Sequence, residues 1–84
     1  MGDLNTGTLE DMARHEARAE AAYGAMYDAR PHNVKECYED ACLYIGKAIA
    51  IAKALNRESD IERLTKQSEN IDGVYNRQFR NVGR

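Results

Sequence analysis

A basic excess, a long apolar run and a usable cysteine pair are all missing from this 84-residue chain. Twelve basic residues stand against 14 acidic ones, for a net charge of −2. A dedicated nucleic-acid binder shows a strong basic excess, and a polyacidic mimic shows the reverse, so neither class fits. Residues 38–55, "YEDACLYIGKAIAIAKAL", form the densest apolar stretch, and its longest charge-free run is Ala41 to Gly46. A membrane span needs about 20 apolar residues, so no membrane insertion is expected. Met1 to Thr8 is polar and lacks the basic start and apolar core of a secretory signal. Cys37 and Cys42 are five apart on one predicted helix. They diverge by about 140°, with Cα atoms beyond the ~7 Å limit for a disulfide. The chain therefore reads as cytoplasmic, with reduced thiols. It has no glycine-rich phosphate loop, no Ser-His-Asp order and no zinc-type cysteine pair, so neither catalysis nor a cofactor is expected.

What is present is helical periodicity in three blocks. Thr8 can cap a first helix, with Asp11 in the capping-box position. That helix runs to about Ala29 and is ended by Pro31. Met12, Ala19, Ala22, Tyr23 and Met26 form its inward stripe. His15 lies on one border of the stripe and Glu16 on the other, with Glu20 further to the Glu16 side. Asn33, with Glu36 as box partner, is expected to cap the second helix, and Asn56 to close it. Val34, Cys37, Ala41, Tyr44, Ala48, Ile51 and Leu55 recur at threes and fours, and Tyr38, Ile45 and Ala52 widen the stripe. Ser59, with Glu62, is expected to cap a third helix carrying Ile61, Leu64, Ser68, Ile71, Tyr75 and Phe79.

Short links force antiparallel neighbours. The expected fold is therefore all-α, an antiparallel up-down-up three-helix bundle over residues 8–80, with helices at about 8–29, 33–56 and 59–79. Residues 1–7 form an expected flexible leader and 81–84 a frayed tail. The leader matches the loose myristoylation pattern at Gly2 and Thr6, but so short a pattern recurs by chance. Large aliphatics are few and alanine is abundant, which favours a thin bundle that gains from self-association. Leu43, Gly46, Ala50 and Ala54 make a second line on the back of the middle helix, away from its main stripe. This line is a candidate docking face for another helix, such as one from a second copy.

The middle segment resembles the second helix of a tetratricopeptide repeat. Tyr38, Glu39, Ala41, Tyr44, Lys47, Ala48 and Ile49 stand in that family's places, and Gly24 and Tyr27 look like the Gly-x-x-Tyr of a repeat's first helix. The likeness covers residues 24–55. It departs from the family in a longer link between Tyr27 and Ala41, in lacking a proline near the end of the second helix, and in having no second repeat. The resemblance implies peptide or protein binding between helices, without catalysis.

Three side-chain groupings remain. Glu16 and Glu20 lie one turn apart, with Tyr23 and Tyr27 further along the same face. Such carboxylates can hold a metal in a bundle, but the Glu-x-x-His pairs of di-iron bundles are absent, and solvent or Lys47 is the expected neighbour. His32 and Cys37 could pair, but Cys37 holds a seam position and Cys42 is the thiol expected to react. Tyr27, Tyr38, Tyr75 and Phe79 gather towards the Pro31 end, with Arg30, Arg77 and Arg80 around them. Tyrosine and arginine dominate binding hot spots. The expected function is a small non-catalytic protein-protein interaction or adaptor module. It would hold a protein partner or a second copy through Leu43, Gly46, Ala50 and Ala54, or through Tyr27, Arg30, Tyr38 and Arg77. The alternative is a small ligand- or metal-binding bundle using Glu16 and Glu20.

Overall fold

The computed structural model describes residues 8–79. The leader with its Gly2 and Thr6 pattern, Arg80 and the 81–84 tail lie outside the described residues. The described chain is all-helical: α1 spans Leu9–Asp28, α2 spans Pro31–Ala54 and α3 spans Glu58–Val74, running on into a π-helical turn at Tyr75–Phe79. The helices form an up-down-up bundle in which α2 packs against both neighbours. The molecule is thin, 14 Å across its shortest dimension.

Thr8 caps α1 in a full capping box, its hydroxyl accepting from the Asp11 N–H while the Asp11 carboxylate accepts from the Thr8 N–H. The other two helix starts differ from expectation. Helix α2 begins at Pro31 rather than after Asn33, with Arg30 as N-cap and no side-chain cap bond. A proline at the first helical position loses no hydrogen bond and brings a helical φ with it, so it displaces the asparagine cap. Asn33 then sits in the first turn, its N–H bonded to the Arg30 carbonyl at 2.8 Å.

Helix α3 starts at Glu58 rather than after Ser59, with Arg57 as N-cap. The reason lies in the turn before it. Asn56 adopts φ 57, and the Asn56 and Arg57 N–H groups bond back to the Lys53 and Ala52 carbonyls at 3.1 and 2.9 Å. This is a Schellman motif closing α2, with asparagine in the left-handed position. Arg57 ends that motif and also caps α3, so the chain has turned before it reaches Ser59. Leu55, expected in the main stripe, sits at this corner and is 36% exposed.

The core has two parts. The central part joins Met12 and Ala19 of α1, Ile45, Ala48 and Ala52 of α2, and Leu64 of α3. The part at the Pro31 end joins Met26, Val34 and Val74, with Tyr38, Tyr75 and Phe79 packed around them. Ala41, Ala48 and Ala52 are fully buried. Small side chains at these positions let helix backbones approach closely, which keeps the bundle thin. Val74 lies outside the periodic stripe read for α3, yet it is buried. The π turn that follows has wider, five-residue spacing. It carries Tyr75 onto Tyr38 of α2 and Phe79 onto Tyr27 of α1, so one turn serves both seams.

Candidate interaction surfaces

The back of α2 is bare. Leu43 is 51% exposed, and Gly46, Ala50 and Ala54 beside it are exposed as well. A Cβ built on Gly46 would meet nothing within 4 Å, so among the described residues nothing packs over Gly46. Both α1 and α3 lie on the other side, where Ala41, Ile45, Ala48 and Ala52 are buried. Exposed Glu36, Glu39 and Asp40 flank the start of the line, and Lys47 and Lys53 flank its later part.

The Tyr/Arg end divides in two. On the α2 side, Tyr38 stacks on Tyr75 with centroids 4.0 Å apart and planes 11° apart. Its hydroxyl donates to Asp72 Oδ1 at 2.6 Å, and the Cys42 thiol donates to the same oxygen at 3.7 Å. The bond to Asp72, aided by burial, holds the Tyr38 phenol well above its ordinary pKa. Burial likewise raises Cys42, so Cys42 carries less thiolate than a free cysteine. Tyr38 is thus committed to holding α3 and is only half-exposed.

On the α1 side, Tyr27 packs edge-to-face on both Tyr23 and Phe79, at 5.7 and 5.2 Å. Tyr27 is 51% exposed, and Arg30 and Arg77 are exposed near the same end. The hydroxyl contact with Tyr23, at 3.3 Å, raises the Tyr27 pKa. The accessible portion of this end is therefore Tyr27, Arg30 and Arg77.

The two glutamates face α3 rather than Lys47. Glu16 is bonded by the Arg63 guanidinium, which also holds Asp60 at 3.0 Å. These two carboxylates raise the pKa of Arg63, and Arg57 and Arg63 together lower that of Asp60. Gln67 Nε2 donates to Glu20 at 3.4 Å, and Asn70 Nδ2 donates to the Tyr23 hydroxyl at 3.4 Å. Each of these three pairs is separated by 47 positions, the signature of parallel helices in constant register. Lys47 instead lies over the Tyr44 ring at 5.6 Å, as does Arg18, and His15 stacks on the same ring. Among the described residues no three His, Cys, Asp or Glu side chains converge as a metal site.

Arg63, Gln67, Asn70 and Asp72 were not singled out by periodicity, because polar residues on a predicted outer flank look alike. In an up-down-up bundle the first and third helices run parallel, but the offset between them is fixed only by the packed structure. Sliding one along the other by 47 places glutamate against arginine, glutamate against glutamine and tyrosine against asparagine.

Between these polar pairs α1 and α3 leave a recess of about 300 Å³. Ala19, Ile45 and Ile71 form its apolar floor, and Glu20, Tyr23, Gln67 and Asn70 its rim. No helix among the described residues is long and apolar enough to cross a membrane. No protein family, curated protein or solved structure matches this chain.

Proposed function

We propose that this chain is a small, non-catalytic interaction module of the cytoplasm, and that its first partner is a second copy of itself. The observation that carries this reading is the bare back of α2, with half-exposed Leu43 in line with Gly46, Ala50 and Ala54. A thin domain gains most from covering such a line. The flanking charges favour a two-fold antiparallel pairing of α2 with α2. With Gly46 near the axis, Leu43 of each copy meets the small residues around Ala50 of the other. The acidic start, Glu39 and Asp40, then meets Lys53. Isologous contact of this kind is the commonest form of oligomer. A protein partner could also use the Tyr27, Arg30 and Arg77 end, and the likeness of residues 24–55 to a tetratricopeptide hairpin supports peptide binding of that sort. The free state of Cys37 and Cys42 suits a reducing compartment.

Sedimentation at micromolar concentration tests the reading. The expected result is a concentration-dependent dimer that Leu43→Glu converts to a monomer of unchanged helicity. A wild-type chain that stays monomeric overturns the self-association.

A further inference from the structure

The recess between α1 and α3 is a different surface from the back of α2, and its hydrogen-bonding inventory is lopsided. Each of its two amide NH2 groups already spends one N–H within the rim: Gln67 Nε2 on Glu20 and Asn70 Nδ2 on the Tyr23 hydroxyl. The charged group and the buried unpaired atom at this rim are both acceptors. Glu20 has no ion-pair partner among the described residues, whereas its neighbour Glu16 is matched by Arg63. Arg63 in turn is shared between Glu16 and Asp60, so it does not neutralise Glu20. The Gln67 amide oxygen is buried without a hydrogen-bond partner. A buried acceptor left unpaired is costly and calls for a donor. Beneath these groups the floor is aliphatic: Ala19, Ile45 and Ile71 are each at most 4% exposed.

We propose that this recess is a binding site for a small organic ammonium, its apolar stem on Ala19, Ile45 and Ile71 and its N–H donors on Glu20 and the Gln67 and Asn70 amide oxygens. The proposal develops the ligand-binding alternative drawn from Glu16 and Glu20, keeping Glu20 alone because Glu16 is held by Arg63, and it does not depend on self-association through α2. An ammonium offers three donors and one positive charge, which match a carboxylate beside neutral acceptors. A recess of about 300 Å³ is at the lower limit for ligand sites and suits a compact ligand. The Arg63–Glu16 bridge spans α1 and α3 one helical turn before Glu20 and Gln67, and the Tyr27–Phe79 contact joins α1 to the π turn on the other side. A polypeptide running along the seam would have to displace both, which favours a free amine over a lysine within an extended chain.

The test is titration of the isotope-labelled full chain with hexylammonium, read by backbone amide shifts. Parallel titrations use 1-hexanol, hexanoate and a capped lysine-containing tripeptide. The expected result is saturable movement of the amides of residues 19–23 and 67–71 with hexylammonium. Hexanol and hexanoate should bind about tenfold more weakly, as befits loss of a charge-assisted hydrogen bond. Glu20→Gln should weaken the amine by about the same factor, while Glu36→Gln on the back of α2 leaves it unchanged. Both glutamates are exposed, so neither change threatens the fold. The proposal fails on equal binding of hexanol, on unaltered binding in Glu20→Gln, or on no shift at about 10 mM amine, well above the millimolar range of weak ligands. Tighter binding of the tripeptide than of hexylammonium also overturns it, in favour of a partner chain. Sedimentation of the same samples reports the α2 contact separately.

Discussion

Helix α1 makes two seams, and they are built on opposite principles. Against α2 it presents Met12, Ala19 and Met26 to a face rich in buried alanine, and the helices come close. Against α3 it presents Glu16, Glu20 and Tyr23, and those side chains reach across a gap to Arg63, Gln67 and Asn70. The first seam excludes water by small size. The second spans distance with long polar side chains and leaves a recess behind. The contrast teaches that α3 is attached to the molecule chiefly through α2, by Leu64 in the central core and by Tyr38 on Asp72 at the Pro31 end. The polar pairs with α1 set register more than they supply stability, because exposed ion pairs contribute only ~0–1 kcal/mol.

Breaking the apolar attachment of α3 should have the largest effect. Leu64 is completely buried among residues of all three helices, so Leu64→Ala should destabilise the fold by about 3 kcal/mol, lost transfer energy plus cavity. Urea denaturation followed by circular dichroism measures this, and a loss below about 1 kcal/mol would mean that the polar seam carries α3 instead.

The Tyr38–Asp72 bond sharpens the comparison next. Tyr38→Phe should cost about 1 kcal/mol at neutral pH, by removing a hydrogen bond to a carboxylate at a half-buried site. It should also change the alkaline limb. A phenol whose pKa is raised on folding contributes stability that is complete below its unfolded pKa of about 10. That contribution is lost as pH rises through the folded value. The wild-type chain should therefore lose more stability above pH ~10 than Tyr38→Phe does. Equal losses in both would remove Tyr38 from the account.

The smallest effect belongs to the polar seam. Glu16→Gln should cost less than about 1 kcal/mol, and added salt should shrink the difference from wild type. A larger, salt-insensitive loss would place real stability in the α1–α3 contact and reverse the comparison.

Much of this architecture was legible. The seven-and-four spacing of Ala41, Ala48 and Ala52 marks a face that neighbours must bury, and it is buried. Thr8 with Asp11 marks a helix start, because the capping box is local chemistry. Asn56 marks a stop for the same reason, since asparagine tolerates positive φ. The misplaced starts at Asn33 and Ser59 came from two cap signals competing nearby, where Pro31 and the Schellman turn act first in the chain. The back line of α2 was visible as a second apolar periodicity, and its exposure follows from both neighbours sharing the other face. The recess was not visible, although two of its rim residues, Glu20 and Tyr23, stood out on α1.

Local chemistry and periodicity, both written in the order of residues, determined that this chain is helical, where α1 begins, where α2 ends and which face of α2 is covered. Tertiary structure alone decided the 47-residue register of α1 on α3, the commitment of Tyr38 and Cys42 to Asp72, and the π turn that sends Tyr75 and Phe79 to different helices. The reason is distance along the chain. A cap or a stripe is fixed by residues within a turn or two of one another. A pair 34 or 47 positions apart forms only when the intervening helices have packed at one spacing, which no local pattern records.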